Sequence, residues 1–134
     1  MPITTVALWQ GAVDGLLGFI DQVGQKAVLQ TRRILPPLAG SVDQRIIFDD
    51  FLIVEKMAFD SSSGVKTFDS IGIERNKDFD AFFEYTPNIT TELTVLFQGN
   101  RYEILTVENI GAINGIIQLE LQLMGSASKE ASKS

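Results

Sequence analysis

The chain has 134 residues, 45% of them hydrophobic, and a formal charge of −6, which suits one domain with a core of its own. It contains no cysteine and no histidine, so disulfides, thiolate metal sites, imidazole-based catalytic triads and His-zinc sites are excluded together. The acidity is central, because residues 43–92 hold 11 acids and 5 bases, whereas residues 1–42 sum to +1 and residues 93–134 to −1. No basic stripe is present, which argues against stable gripping of nucleic acid, since phosphate contacts need clustered Lys and Arg.

No apolar run reaches the roughly 18 residues that a membrane-crossing helix needs, and Met1-Pro2-Ile3-Thr4-Thr5 lacks the positive start of a signal peptide. The expectation is a protein made in a reducing cytosol, with no membrane partner.

Residues 4–22 read as a weakly amphipathic helix. Trp9, Val13, Leu16, Leu17 and Ile20 recur at helical spacing, and Thr4 or Thr5 offers a cap. Gly11, Gly15 and Gly18 lie inside it, each costing about 1 kcal/mol relative to Ala. Such a helix forms by docking, either on its own domain or on a neighbouring subunit.

Residues 26–32 read as a first strand. Pro36-Pro37 and Gly40-Ser41 mark a loop over 33–45. Residues 51–58 read as a second strand around Leu52, Ile53 and Val54. Asp60-Ser61-Ser62-Ser63-Gly64 reads as a turn by composition.

The C-terminal half alternates more cleanly. Over residues 77–85, Phe79, Ala81, Phe83 and Tyr85 share one face and Asp78, Asp80 and Glu84 the other, with Phe82 the exception. Thr86-Pro87-Asn88 ends that strand. Leu93, Val95 and Phe97 form the apolar side of the next, and Gln98-Gly99-Asn100-Arg101 is a tight turn into residues 102–108. A loop at 111–115 with the turn signal Asn114-Gly115 leads to a last strand, where Ile117, Leu119, Leu121 and Leu123 alternate with Gln118, Glu120 and Gln122.

The expected fold is mainly β: a small antiparallel barrel or sandwich over 26–124, a helical arm over 1–25 and a flexible polar tail over 125–134. A small open barrel would leave edge strands that invite neighbours.

Few residues suggest chemistry. Asp49 and Asp50 are adjacent, so a strand would aim them to opposite faces. Asp78 and Asp80 share a strand face, where a hard cation is conceivable, but the dense ligand spacing of a calcium loop is missing. Asn88-Ile89-Thr90 matches the glycosylation pattern as a chance occurrence, and no Gly-rich phosphate loop is present. The expected inventory is no catalytic residue, no cofactor and no metal.

Phe79-Asp80-Ala81-Phe82-Phe83-Glu84-Tyr85-Thr86-Pro87-Asn88-Ile89-Thr90 is followed by Val95-Leu96-Phe97-Gln98-Gly99-Asn100-Arg101-Tyr102-Glu103-Ile104-Leu105-Thr106-Val107-Glu108-Asn109. This run resembles the head–tail joining proteins of tailed bacteriophages, also called head-closure or stopper proteins of the neck. Gly99, Arg101, Tyr102, Ile104, Val107 and Asn109 carry the match, over roughly the last third of the chain. The chain departs from that pattern at Phe83 or Glu84, where the family often has Arg, and in its longer N-terminal helix.

The resemblance implies a β-barrel that forms a ring of 6 or 12 copies in the virion neck. A portal-bound adaptor ring would lie above it and tail-terminator or tail proteins below. Packaged double-stranded DNA would pass through the ring without specific binding. Under this reading, residues 59–78 are expected to form a lumen-facing loop with Asp60, Asp69, Glu74 and Asp78 towards DNA, an acidic lining that repels phosphate. Trp9, Leu16, Phe82 and Arg101 are the expected assembly contacts. Alternatives are a tail-terminator ring, a small barrel that binds a peptide or oligosaccharide, and an enzyme built on paired carboxylates.

Overall fold

The computed structural model describes residues 2–40 and 45–126, and for residues 2–10, 63, 125 and 126 the backbone alone. A helix, α1 (Pro2–Val23), precedes six strands: β1 (Gln25–Leu35), β2 (Arg45–Phe68), β3 (Glu74–Glu84), β4 (Thr94–Phe97), β5 (Asn100–Asn109) and β6 (Ile116–Ser126). A short 3-10 turn (Ile110–Ala112) lies between the last two. The strands pair antiparallel in the order β1-β2-β3-β6-β5-β4 and close into a barrel. The predicted open edge is therefore absent from the barrel, because β4 returns to β1 through Val28↔Leu96, Leu29↔Val95 and Gln30↔Thr94.

The alternation read in the sequence supplies the interior. Ala81 and Phe83 of β3, Leu119 and Leu121 of β6, Val95 of β4 and Leu29 of β1 are at most 1% exposed and form one cluster with Met57, Tyr102 and Ile104. Phe59 stacks on Phe97 and meets Phe79 edge-on, and Phe79 in turn meets Tyr102 edge-on. At the β4–β5 hairpin, Gln98 and Gly99 both take positive φ, 50° and 79°, which matches the backbone twist of a two-residue turn to that of its strands.

The exception in the β3 pattern is the seat of α1. Phe82 faces outward beneath the helix, with Ala58 and Ile116 beside it. Val13 and Ile20 are buried there, and Leu16 and Leu17 are half-buried against the same patch. The helix therefore docks on its own domain. Gly115 lets it approach, since a Cβ built there would lie 2.5 Å from Val13 Cγ1. The prolines in the β1–β2 connection stay outside the strands, as proline must.

Two sequence expectations are corrected in β2. It begins six residues earlier than the predicted strand at residue 51 and continues ten beyond its predicted end. The Ser-rich stretch from Asp60 to Gly64 is not a turn but an irregularity inside the strand, marked by the register shift between Ser61 and Val65 and by Gly64 at φ 82°. The reversal comes later. Asp69 N donates to Ile73 O, Gly72 N donates to Asp69 O, and Gly72 takes φ 86°. Likewise β6 extends two residues past the predicted barrel boundary at 124, and residues 127–134 of the predicted tail lie outside the described residues.

Replacing Gly115 by Ala should cost about 1–3 kcal/mol in urea unfolding, the usual range for overpacking. In the Gly115→Ala/Val13→Ala double variant the two losses should fall well short of additive, because the truncation removes the clashing methyl. Additive losses would show that α1 does not rest on this glycine.

Candidate functional site

Because β2 is so long, it serves two hairpins that reach beyond the barrel. Its first part pairs with β1 from Thr31↔Asp49 to Leu35↔Arg45, past the last β1–β4 pair. Its last part pairs with β3 from Val65↔Lys77 to Phe68↔Glu74, where β3 no longer pairs with β6.

The β1–β2 hairpin is fastened at its base. Arg101 is only 9% exposed, its guanidinium lies 3.9 Å over the Phe48 ring, and its Nε donates to Gln30 Oε1 at 3.0 Å. Gln30 in turn donates to Asp50 at 2.9 Å. Near the tip, Arg33 donates to Asp49 at 2.6 Å, and both Nε and one terminal nitrogen of Arg45 donate to the Pro36 carbonyl. Ile34, Leu38 and Ile46 are exposed at this end.

The β2–β3 hairpin folds back over the barrel. By alternation, Arg75 and Lys77 share a face with the core residues Phe79 and Ala81, yet their partners lie on the outer face of β5 and β6. Arg75 donates to Gln122 and Glu103, each at 2.6 Å, and Lys77 donates to Glu120 at 2.8 Å and to Asp80 at 3.0 Å. The bend is at Asp78, whose carboxylate accepts the Leu123 N–H at 2.7 Å in place of a strand-to-strand bond. Thr67 and Thr106 both donate to Glu120 Oε1. Val65, Phe68, Ile71 and Ile73 are left exposed on this hairpin, Ile71 the most at 77%.

Electrostatics lock this fold-back. Burial works against the Lys77 ammonium, but hydrogen bonds to Glu120 and Asp80 leave its pKa raised. Burial also pushes Glu120 up, and the hydrogen bonds from Lys77, Thr106 and Thr67 reverse that and leave it below the usual carboxylate value. Asp69 is lowered chiefly by the N–H of Ile73, with help from Ile71 and Arg75.

Three of the four acids expected to line a lumen-facing loop are engaged within the chain. The segment is a paired hairpin, not a loop. Asp69 accepts the N–H groups of Ile71 and Ile73 and bridges to Arg75 at 3.4 Å. Glu74 pairs with Lys66 at 3.2 Å, and Asp78 holds the bend. Asp60 alone of the four is exposed with no ion pair among the described residues. Lys66, Arg75 and Lys77 offset most of the charge of these four acids, so this hairpin is nearly neutral.

The expected assembly contacts are also rearranged. Leu16 and Phe82 meet each other's cluster in the seam between α1 and the barrel, and Arg101 is buried against Phe48 and Gln30. The side chain of Trp9 lies outside the described residues. Residues the sequence reading missed, Phe68, Ile71, Ile73, Ile34 and Ile46, are the ones exposed at the tips. Two isoleucines flanking Gly72 in a short polar stretch were the available signal.

No protein-family model matches the chain, and no characterised protein matches it by sequence. Among the described residues, no group of three or more His, Cys, Asp or Glu is placed to hold a metal ion, and no helix is long and apolar enough to cross a membrane. Asp49 and Asp50 point to different partners, Arg33 and Gln30, and Asp78 and Asp80 to Leu123 and Lys77, so neither pair converges on a shared ligand.

The sign of the pH dependence follows from these groups. Glu120 and Asp69 have folded values below their unfolded ones, so their stabilisation is present above the ordinary carboxylate range and lost as pH falls through it. Lys77 has a raised value, so its contribution is present below its ordinary pKa and lost as pH rises through the folded one. Glu120→Gln should cost about 1–3 kcal/mol at pH 7, since it leaves Lys77 short of a charged partner. That deficit should shrink as pH falls through the usual carboxylate range and on through the lower folded value of Glu120, where the native carboxyl itself protonates. A deficit that stays constant from pH 7 to pH 3 in chemical denaturation would show that Glu120 is not held as its anion.

Proposed function

We propose that this chain is a structural virion protein of a phage neck, with no enzymatic role, assembling with itself and with other proteins into a ring that joins the DNA-filled head to the tail. The observation that carries the assembly reading is where the exposed apolar surface lies. Of thirteen large exposed apolar side chains among the described residues, seven sit on the two hairpins: Ile34, Leu38, Ile46, Val65, Phe68, Ile71 and Ile73. Surfaces of this kind mark protein contacts, because water does not stabilise them. On the hairpins the strands pair on one side only, which makes them natural contact elements.

The neck assignment itself rests on the sequence resemblance. The residues that carry it, Gly99, Arg101, Tyr102, Ile104, Val107 and Asn109, fall on β5 and the turn that leads into it. In this reading a portal-bound adaptor ring lies on one side and tail proteins on the other, 6 or 12 copies close the ring, and double-stranded DNA passes through without being gripped. Head closure is the first reading and a tail-terminator ring, which keeps the same class of β fold and differs in partner, the alternative. The near-neutral β2–β3 hairpin makes a purely repulsive lining from that element a weak basis for gating. Of its acids, Asp60 alone is exposed with no ion pair among the described residues.

Cryo-electron microscopy of the particles that contain this chain tests the proposal. A ring of this barrel below the portal is the expected result, and density for it elsewhere, or its absence from particles, overturns the reading. Replacing Phe68, Ile71 and Ile73 together by Ser should leave the circular dichroism spectrum and Tm nearly unchanged. It should reduce the yield of joined particles by about tenfold or more, as loss of interface anchors does.

A further inference from the structure

A second surface of the same chain fits the tip of the β1–β2 hairpin. Between the C-terminal half of α1 and β2 lies a groove of about 360 Å³. Leu17, Ile20, Leu52, Ile53, Val54 and Phe83 line it. Asp21, Glu55 and Glu84 stand at its rim with no ion pair or side-chain hydrogen bond among the described residues, and its one base, Lys56, is engaged on the Asp21 carbonyl at 3.0 Å. The groove is therefore apolar within and acidic around.

The hairpin is its complement. Ile34 and Ile46 are cross-strand partners, 63% and 43% exposed. Arg32 lies on the same face, two residues from Ile34, and makes no ion pair among the described residues. Counted from the sequence, residues 32–49 carry three arginines and two aspartates, so the segment has the opposite sign to the rim.

The hairpin cannot fill the groove of its own chain. Ile46 and Ile53 are seven residues apart on one continuous strand, about 23 Å at roughly 3.3 Å per residue. The unbroken ladder from Thr31↔Asp49 to Leu35↔Arg45 keeps the tip pointing away.

We propose that this groove receives the Ile34/Ile46 face of the β1–β2 hairpin of a second copy of this chain, with Arg32 set against Glu55. The contact joins two different surfaces, so it does not stop at a dimer and propagates to a closed ring or an open chain. It deepens the assembly reading above and rests on it.

The chain has no cysteine, which makes cross-linking clean. Ile46→Cys and Ile53→Cys are prepared as separate, differently tagged proteins, mixed at about millimolar concentration and mildly oxidised. The mixed disulfide should form several-fold faster than between Ile46→Cys and a control, Asn76→Cys, on the solvent face of the other hairpin, as proximity requires. Equal rates overturn the proposal. In sedimentation, Arg32→Glu and Glu55→Arg should each weaken self-association about tenfold, and the double variant in one chain should restore it, since every contact then has both reversed charges. No restoration, or no self-association of the unmodified protein together with no preferential cross-link, also overturns it. Junction rings whose copies fail to cross-link would reject the hairpin-in-groove contact and keep the neck assignment. Preferential cross-linking by a protein absent from the junction would do the reverse.

Discussion

Three residue pairs between β1 and β4 close the sheet, and the rest of the architecture follows from that seam. A closed sheet hides its backbone donors and acceptors from neighbours. It also gives one interior, filled from every strand by alternate residues such as Leu29, Met57, Phe83, Val95 and Leu119. With the barrel sealed, whatever contact surface the chain has must be built outside it. The long β2 supplies it by running past both ends of its barrel pairing.

The two extensions are held by different physics. The β1–β2 hairpin rests on a guanidinium over an aromatic ring, which confers stiffness with little dependence on pH. The β2–β3 hairpin is bound to the outer face of β5 and β6 by Arg75, Lys77, Thr67 and their acidic partners. Interactions of that sort are individually small where exposed and larger where, as for Lys77 and Glu120, they are screened from water.

Much of the barrel was legible in the sequence because its strands alternate strictly where one face is buried. The β3 and β6 patterns stated their inward residues as far as Leu121, whereas Leu123, read with them, is half exposed; Phe82, the one residue out of step, marked the seat of the helix. The Ser-rich stretch of β2 misled because serine and glycine serve turns and strand irregularities alike; Gly64 takes a positive φ in either case. The partners of the acids were not legible for a deeper reason. Asp69, Asp78 and Glu120 have partners fixed by the fold-back of a hairpin, up to 53 residues away in the chain, and nothing local to those residues announces it. The exposed tips were missed because an isoleucine in a short turn looks the same whether it will be covered by its own chain or by another.

Arg101 sits at a mechanical junction. It pairs with Leu96 on β4, and β4 is the strand that closes onto β1. Its side chain bears on Phe48 at the root of the β1–β2 hairpin and on Gln30, which is itself paired with Thr94 in the closing seam. A pull on the hairpin tip is therefore delivered along the strands, in shear, to the shortest ladders of the barrel, with Arg101 sharing the load between both sides of the joint. The barrel's resistance to force is set there, and a tug from a neighbour on that hairpin would be felt first at the line along which the cylinder opens.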